Sequence, residues 1–153
     1  MGLLELLIFI PLLAAALIGA GLPGKVIARS AAALNLLLVL AAISQFNAGN
    51  TLAHSYPILD NPAIAFAVKA DGLSLTMALL TSLVLIAANC QIGEGKPAIY
   101  YVSSLLIAGG AMGAFLCTDI FFLYGFHELA LIPTLLMIAI HGHGDATNRR
   151  AIA

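Results

Sequence analysis

TDIFFLYGFHELALIPTLLMIAI, residues 118–140, is an almost unbroken apolar run with one acid, Glu128, near its middle. A helix begun at Asp119 rises about 1.5 Å per residue and carries Glu128 roughly 13–14 Å along its axis. That depth is close to the centre of a hydrocarbon core about 30 Å thick. A carboxylate there costs about 2.5–3.5 kcal/mol on insertion scales, and ionisable residues at such depths mark ion or proton pathways by default. The Leu, Ile and Phe side chains of the run offset this cost at roughly 0.3–0.6 kcal/mol each, so the helix inserts despite its acid.

Three neighbours sharpen the expectation. Pro133 has no N–H for the carbonyl of Leu129, and its ring crowds that carbonyl, so a loosened acceptor is expected one residue from Glu128. Tyr124 precedes Glu128 by four residues and shares its face. His127 is turned about 100° from Glu128 and shares a face with Tyr124 and Thr134. A carboxyl, a phenol, an imidazole and a free carbonyl near mid-membrane suit proton or ion transfer. The same set also suits a structural knot that holds helices together.

Composition restricts the class. The chain is 62% hydrophobic and 8% charged, with a mean hydropathy of +1.08. A soluble domain of 153 residues cannot cover that much apolar surface with so few charges, which leaves an integral membrane protein. A net charge of −1 offers nothing to nucleic acid. The start, MGLLELL, lacks the basic residues of a signal peptide and carries Glu5.

Working outward from the fifth segment, the chain reads as one all-α membrane domain of about five transmembrane helices. The spans fall at about residues 3–20, 26–46, 72–89, 98–117 and 119–140. Gly21, Pro23 and Gly24 mark a turn after the first span, and Gly93, Gly95 and Pro97 another after the third. Ser30, Asn35 and Ser44 are expected to bond between helices. Asp71 is expected to cap the third span. Gly109, Gly110 and Gly113 give the fourth span a face of small residues for close helix packing. Residues 47–70 form the one long polar loop, with a short strand expected at 64–68; its His54 reads as a lone loop histidine. His141, His143 and Asp145 read as a solvated loop in preference to a metal site.

Basic residues set the orientation. Lys25, Arg29, Lys96, Arg149 and Arg150 fall on one side of a five-span layout and only Lys69 on the other. The positive-inside rule then puts the N-terminus and loop 47–70 outside and the C-terminus in the cytoplasm. Cys90 and Cys117 fall at opposite membrane faces, too far apart for a disulfide.

Two motifs carry a family resemblance: Asp71, Gly72, Leu73, Ser74 and Leu75 opening the third span, and FHELALIP, residues 126–133, in the fifth. The second resembles an aromatic-x-Glu-x-x-Leu-Ile-Pro pattern. Together with the five-span layout they resemble the N-terminal third of the antiporter-like subunits of respiratory complex I, the NADH:quinone oxidoreductase, of the chain M type (the counterpart of mitochondrial subunit 4). The resemblance implies that Glu128 carries protons, supported by Tyr124, His127 and Pro133. In the family this glutamate pairs with a lysine on a later, broken helix, and this sequence holds no lysine within a span. His127 stands where an aromatic residue is usual, and the His141–His143 loop departs from the family's usual wording.

The implied function is a proton-translocating membrane-arm subunit of the enzyme, in a bacterial inner membrane, from a chain that is a fragment or a split piece. This chain itself holds no cofactor or redox centre. NADH, FMN, iron–sulfur clusters and quinone would belong to partner subunits. The partners implied are other membrane-arm subunits and the lipid bilayer. A multi-chain sodium/proton antiporter or a membrane-bound hydrogenase would share the same bundle, and a non-catalytic scaffold is the alternative from another class.

Overall fold

The computed structural model describes residues 2–60, 63–93 and 96–141. Five helices occupy the stretches read as spans: α1 Leu3–Gly19, α2 Gly24–Asn47, α3 Gly72–Gln91, α4 Ala98–Leu116 and α5 Ile120–His141. α2 to α5 are each long and apolar enough to cross a membrane. α1, with 17 residues, is shorter, about 26 Å at 1.5 Å per residue. The protein is a multi-pass, helical membrane protein.

The long loop is not irregular. It folds as an antiparallel hairpin of β1 Ala53–Asp60 and β2 Ala63–Lys69. The strand expected at 64–68 is the body of β2; its partner β1 is new. Pro57 hides β1 in the sequence, because proline is tolerated only at edges and bulges. In the structure the ladder slips between Pro57 and Leu59. The hairpin is held to the helices by aromatic packing. The Phe66 ring lies 5.2 Å from that of Phe122, 6.4 Å from Phe126 and 6.0 Å from Phe9. The Thr118 amide donates to the Ala67 carbonyl at 2.9 Å, so the α4–α5 corner acts as a short third edge of the sheet.

Local chemistry explains the helix ends. After α1, Gly21 takes φ 101°, a conformation that favours glycine. Its N–H donates to Ile18 and that of Leu22 to Leu17, which closes the helix in a Schellman turn before Pro23. Asp71 caps α3 as expected: its carboxylate accepts from the Ser74 amide at 2.7 Å, and the Ser74 hydroxyl accepts from the Asp71 amide at 2.8 Å.

α4 is the central helix, packed against α1, α3 and α5. Its glycines make this possible. A Cβ on Gly110 would stand 2.7 Å from the Phe126 carbonyl oxygen and 2.8 Å from the Ala130 nitrogen of α5. One on Gly109 would press into Leu12 of α1. Two apolar cores result. One joins α1, α4 and the hairpin through Leu4, Ile8, Val68 and Met112. The other lies toward the far end around Ile18, Ala28, Leu85 and Leu105.

Candidate functional site

α5 is the least covered helix. It packs against α4 through Phe126 and Ala130, while Tyr124, Leu131 and Leu135 on its other sides are exposed. Glu128 belongs to the uncovered surface, with its side chain 41% exposed in a shallow recess beside Leu131, Ile132, Thr134 and Leu135. It stands near the midpoint of the helix. A carboxyl in this setting makes no bond that would fix it to α4, and its only ion-pair neighbour among the described residues is His127, at a distance that pairs only when the ring is protonated.

The expected group of side chains is partly assembled. The His127 Nδ1 and the Glu128 Oε1 are 4.0 Å apart, an ion-pair distance open to a protonated ring. Tyr124 shares the exposed side of α5 one turn toward the hairpin, where it lines a separate recess with Phe121 and Leu129. Pro133 is buried within an unbroken α5. The Thr134 hydroxyl donates to the Ala130 carbonyl at 3.0 Å; among the described residues no side chain donates to the carbonyl of Leu129. Pro133 has no N–H to offer that carbonyl, which lies one residue from Glu128. His143 and Asp145 lie outside the described residues, and among those described no group of three metal-ligating side chains occurs.

A second polar site is built by Asn35, which bonds between helices as expected. Pro11 in α1 deprives the Leu7 carbonyl of its helical donor. The fully buried Asn35 of α2 supplies the missing donor, Nδ2 to Leu7 O at 2.9 Å. Its own Oδ1 accepts from the Ser82 hydroxyl of α3 at 2.9 Å. One amide thus ties three helices in a place where water cannot serve. Ser30 and Ser44 do otherwise: each donates back to a carbonyl of α2 itself, of Ile27 and Ala41.

Sequence reasoning missed a further pair. Glu5, read only as evidence against a signal peptide, is buried in the first turn of α1, and His54 of β1 is beside it. The signal was a lone acid in an apolar helix, and its partner is distant in the chain.

Fold and site together define a multi-pass helical membrane protein with an ionisable group at mid-span. Comparison with known proteins narrows the class. No protein-family profile matches the chain. It is 32% identical over 148 residues to NADH-quinone oxidoreductase subunit 13 of Thermus thermophilus, which is 94% of this chain and 30% of that protein. It is 32% identical to NADH-quinone oxidoreductase subunit M of Pseudomonas aeruginosa over 60% of this chain and 19% of the relative. The subunit M of Escherichia coli K12 is 31% identical over 63% of this chain and 19% of its own length. The chain is a partial relative of these NADH-quinone oxidoreductase subunits. It spans 19% to 30% of the length of these curated relatives.

Proposed function

We propose that this chain forms the N-terminal part of a proton-translocating membrane-arm subunit of an NADH:quinone oxidoreductase, with Glu128 as the proton carrier. One observation carries the reading: the acid stands at mid-helix on a surface of α5 that α4 leaves open. An open surface lets a cation on another helix approach and withdraw. Apolar surroundings favour the neutral acid, and an approaching cation favours the carboxylate. A moving charge therefore unloads and reloads a proton at Glu128. His127 and Tyr124 are the groups that would hand the proton on, and the Leu129 carbonyl beside Pro133 would serve as a hydrogen-bond acceptor.

In this reading the electron-transfer chemistry of NADH, FMN, iron–sulfur clusters and quinone belongs to other subunits. The partners are the neighbouring membrane-arm subunits, and the location is a bacterial inner membrane.

The test is a substitution series in the assembled complex. Glu128→Gln keeps the shape and hydrogen bonding of the side chain but cannot release a proton near neutral pH. Proton pumping, followed by dye quenching in vesicles, should be abolished or sharply reduced while assembly stays near normal. Glu128→Asp should retain partial activity. A residue that only held helices together would make Gln nearly silent, since an interhelical hydrogen bond contributes about 0.6 kcal/mol on average. Full pumping by a well-assembled Glu128→Gln complex would sink the assignment.

A further inference from the structure

Glu5 is an acid that the proposed pathway does not use. Its side chain is 2% exposed, and neither carboxyl oxygen accepts a hydrogen bond from any described residue. The Nδ1 of His54 stands 3.3 Å from its Oε1, at ion-pair distance but out of line for a hydrogen bond. His54 is itself 42% exposed, so the imidazole lies between the carboxyl and the surface. Gly2 completes the enclosure: a Cβ there would overlap the imidazole.

Other charged groups on this side face elsewhere. His54 pairs with Val68 across the ladder, which puts Lys69, the next residue of β2, on the opposite, exposed face. Asp119 at the start of α5 accepts from the amides of Ala65 and Phe121. Asp71 is held in the cap of α3. Tyr56 of β1 stacks on Phe66. The Cys117 thiol at the end of α4 is buried among apolar residues. The ionisable residues of α2 and α4 (Lys25, Arg29, Tyr100, Tyr101) belong to their opposite ends. Among the described residues, His54 is the only group that can compensate Glu5.

We propose that Glu5 and His54 form a one-proton binding site that, when loaded, clasps the β1–β2 hairpin to α1. The loaded pair is neutral overall in either arrangement, acid beside imidazole or carboxylate beside imidazolium. Removing the proton leaves a buried carboxylate with no cation beside it among the described residues, which burial strongly disfavours. The unloaded pair escapes this by letting the hairpin lift and water reach Glu5. The closed state binds the proton more tightly than the lifted state, where an imidazole releases it in its ordinary range, so closure is favoured at low pH and lost as pH rises. This site is separate from Glu128 and does not depend on its role.

Hydrogen exchange of the hairpin amides tests the proposal, with the full chain in lipid nanodiscs and rates corrected for intrinsic pH dependence. Between about pH 6 and pH 9, a range that brackets ordinary imidazole titration, protection of residues 53–60 should fall roughly tenfold or more. Glu5→Gln needs no proton, so its hairpin should stay protected across the range. Equal protection at both pH values in the native chain, or an unchanged pH dependence in Glu5→Gln, would overturn it. A measurement without a variant guards against misfolding of Glu5→Gln. The ring nitrogen shifts of His54 in the native chain should titrate at the same midpoint as the loss of protection, and a different midpoint rejects the site.

Discussion

Asn35 shows how one residue acts on three helices. It repairs the bond that Pro11 removes from Leu7 and takes a second bond from Ser82. Asn35→Ala should destabilise the chain by about 0.6–1.7 kcal/mol, the range for interhelical hydrogen bonds in membranes. The diagnostic variant is the double one. Pro11→Ala restores an N–H to the Leu7 carbonyl, so the Asn35→Ala penalty measured in a Pro11→Ala background should shrink. A thermal or denaturant double-mutant cycle reads this coupling. Equal penalties in both backgrounds would show that Asn35 does not serve the proline gap. Asn35 was legible as a helix-bonding residue, because amides at that depth rarely do anything else. Its partner was not, since the choice between Leu7 and any other carbonyl depends on how α1 and α2 are rotated. The pairing of Glu5 with His54 was hidden for the same reason.

Among the elements, the helices were plain in the sequence and the hairpin only half so. A membrane requires every span to satisfy its backbone internally, so apolar length alone identifies helices. The hairpin follows no such rule. Its alternation is weak, Pro57 interrupts β1, and it is fixed by Phe66 against rings from α1 and α5. The cap of α3 was fully legible because it is local. The Ser74 amide beside Asp71 holds its carboxyl below the ordinary value of 3.8. A depressed acid contributes stability above its unfolded value and loses it as pH falls through the folded value. Exchange of the first α3 amides should therefore rise, relative to intrinsic rates, only below about pH 4, given an ordinary aspartate near 3.9. Asp71→Ala should fray these amides at neutral pH and show no such acid step. An acid step that persists in Asp71→Ala would assign it to another carboxyl.

For the molecule as a whole, charge and hairpin mark opposite faces. Lys25, Arg29 and Lys96 lie at the helix ends away from the hairpin, which itself carries Lys69. A reporter inserted near Asn50 should be external and one fused after Ala153 cytoplasmic, by the positive-inside rule. A cytoplasmic signal at Asn50 would reverse the assignment. The helix that carries Glu128, His127, Tyr124 and Pro133 was legible as one apolar run, since all four lie on one short segment. The uncovered state of α5 was not, because it reflects which helices lie beside it.

The seating of the hairpin also sets an order of events during synthesis. Residues 53–69 can pair with each other early, but Ala65 and Ala67 find their partners only at Asp119 and Thr118, 54 and 51 residues later. At about 5–20 residues per second the ribosome needs roughly 3–10 s to deliver them. Over that interval the hairpin waits with one edge unsatisfied at the surface of a half-made bundle. A nascent chain arrested just before the α4–α5 corner therefore offers its hairpin to proteases and chaperones, and the corner's arrival closes that window.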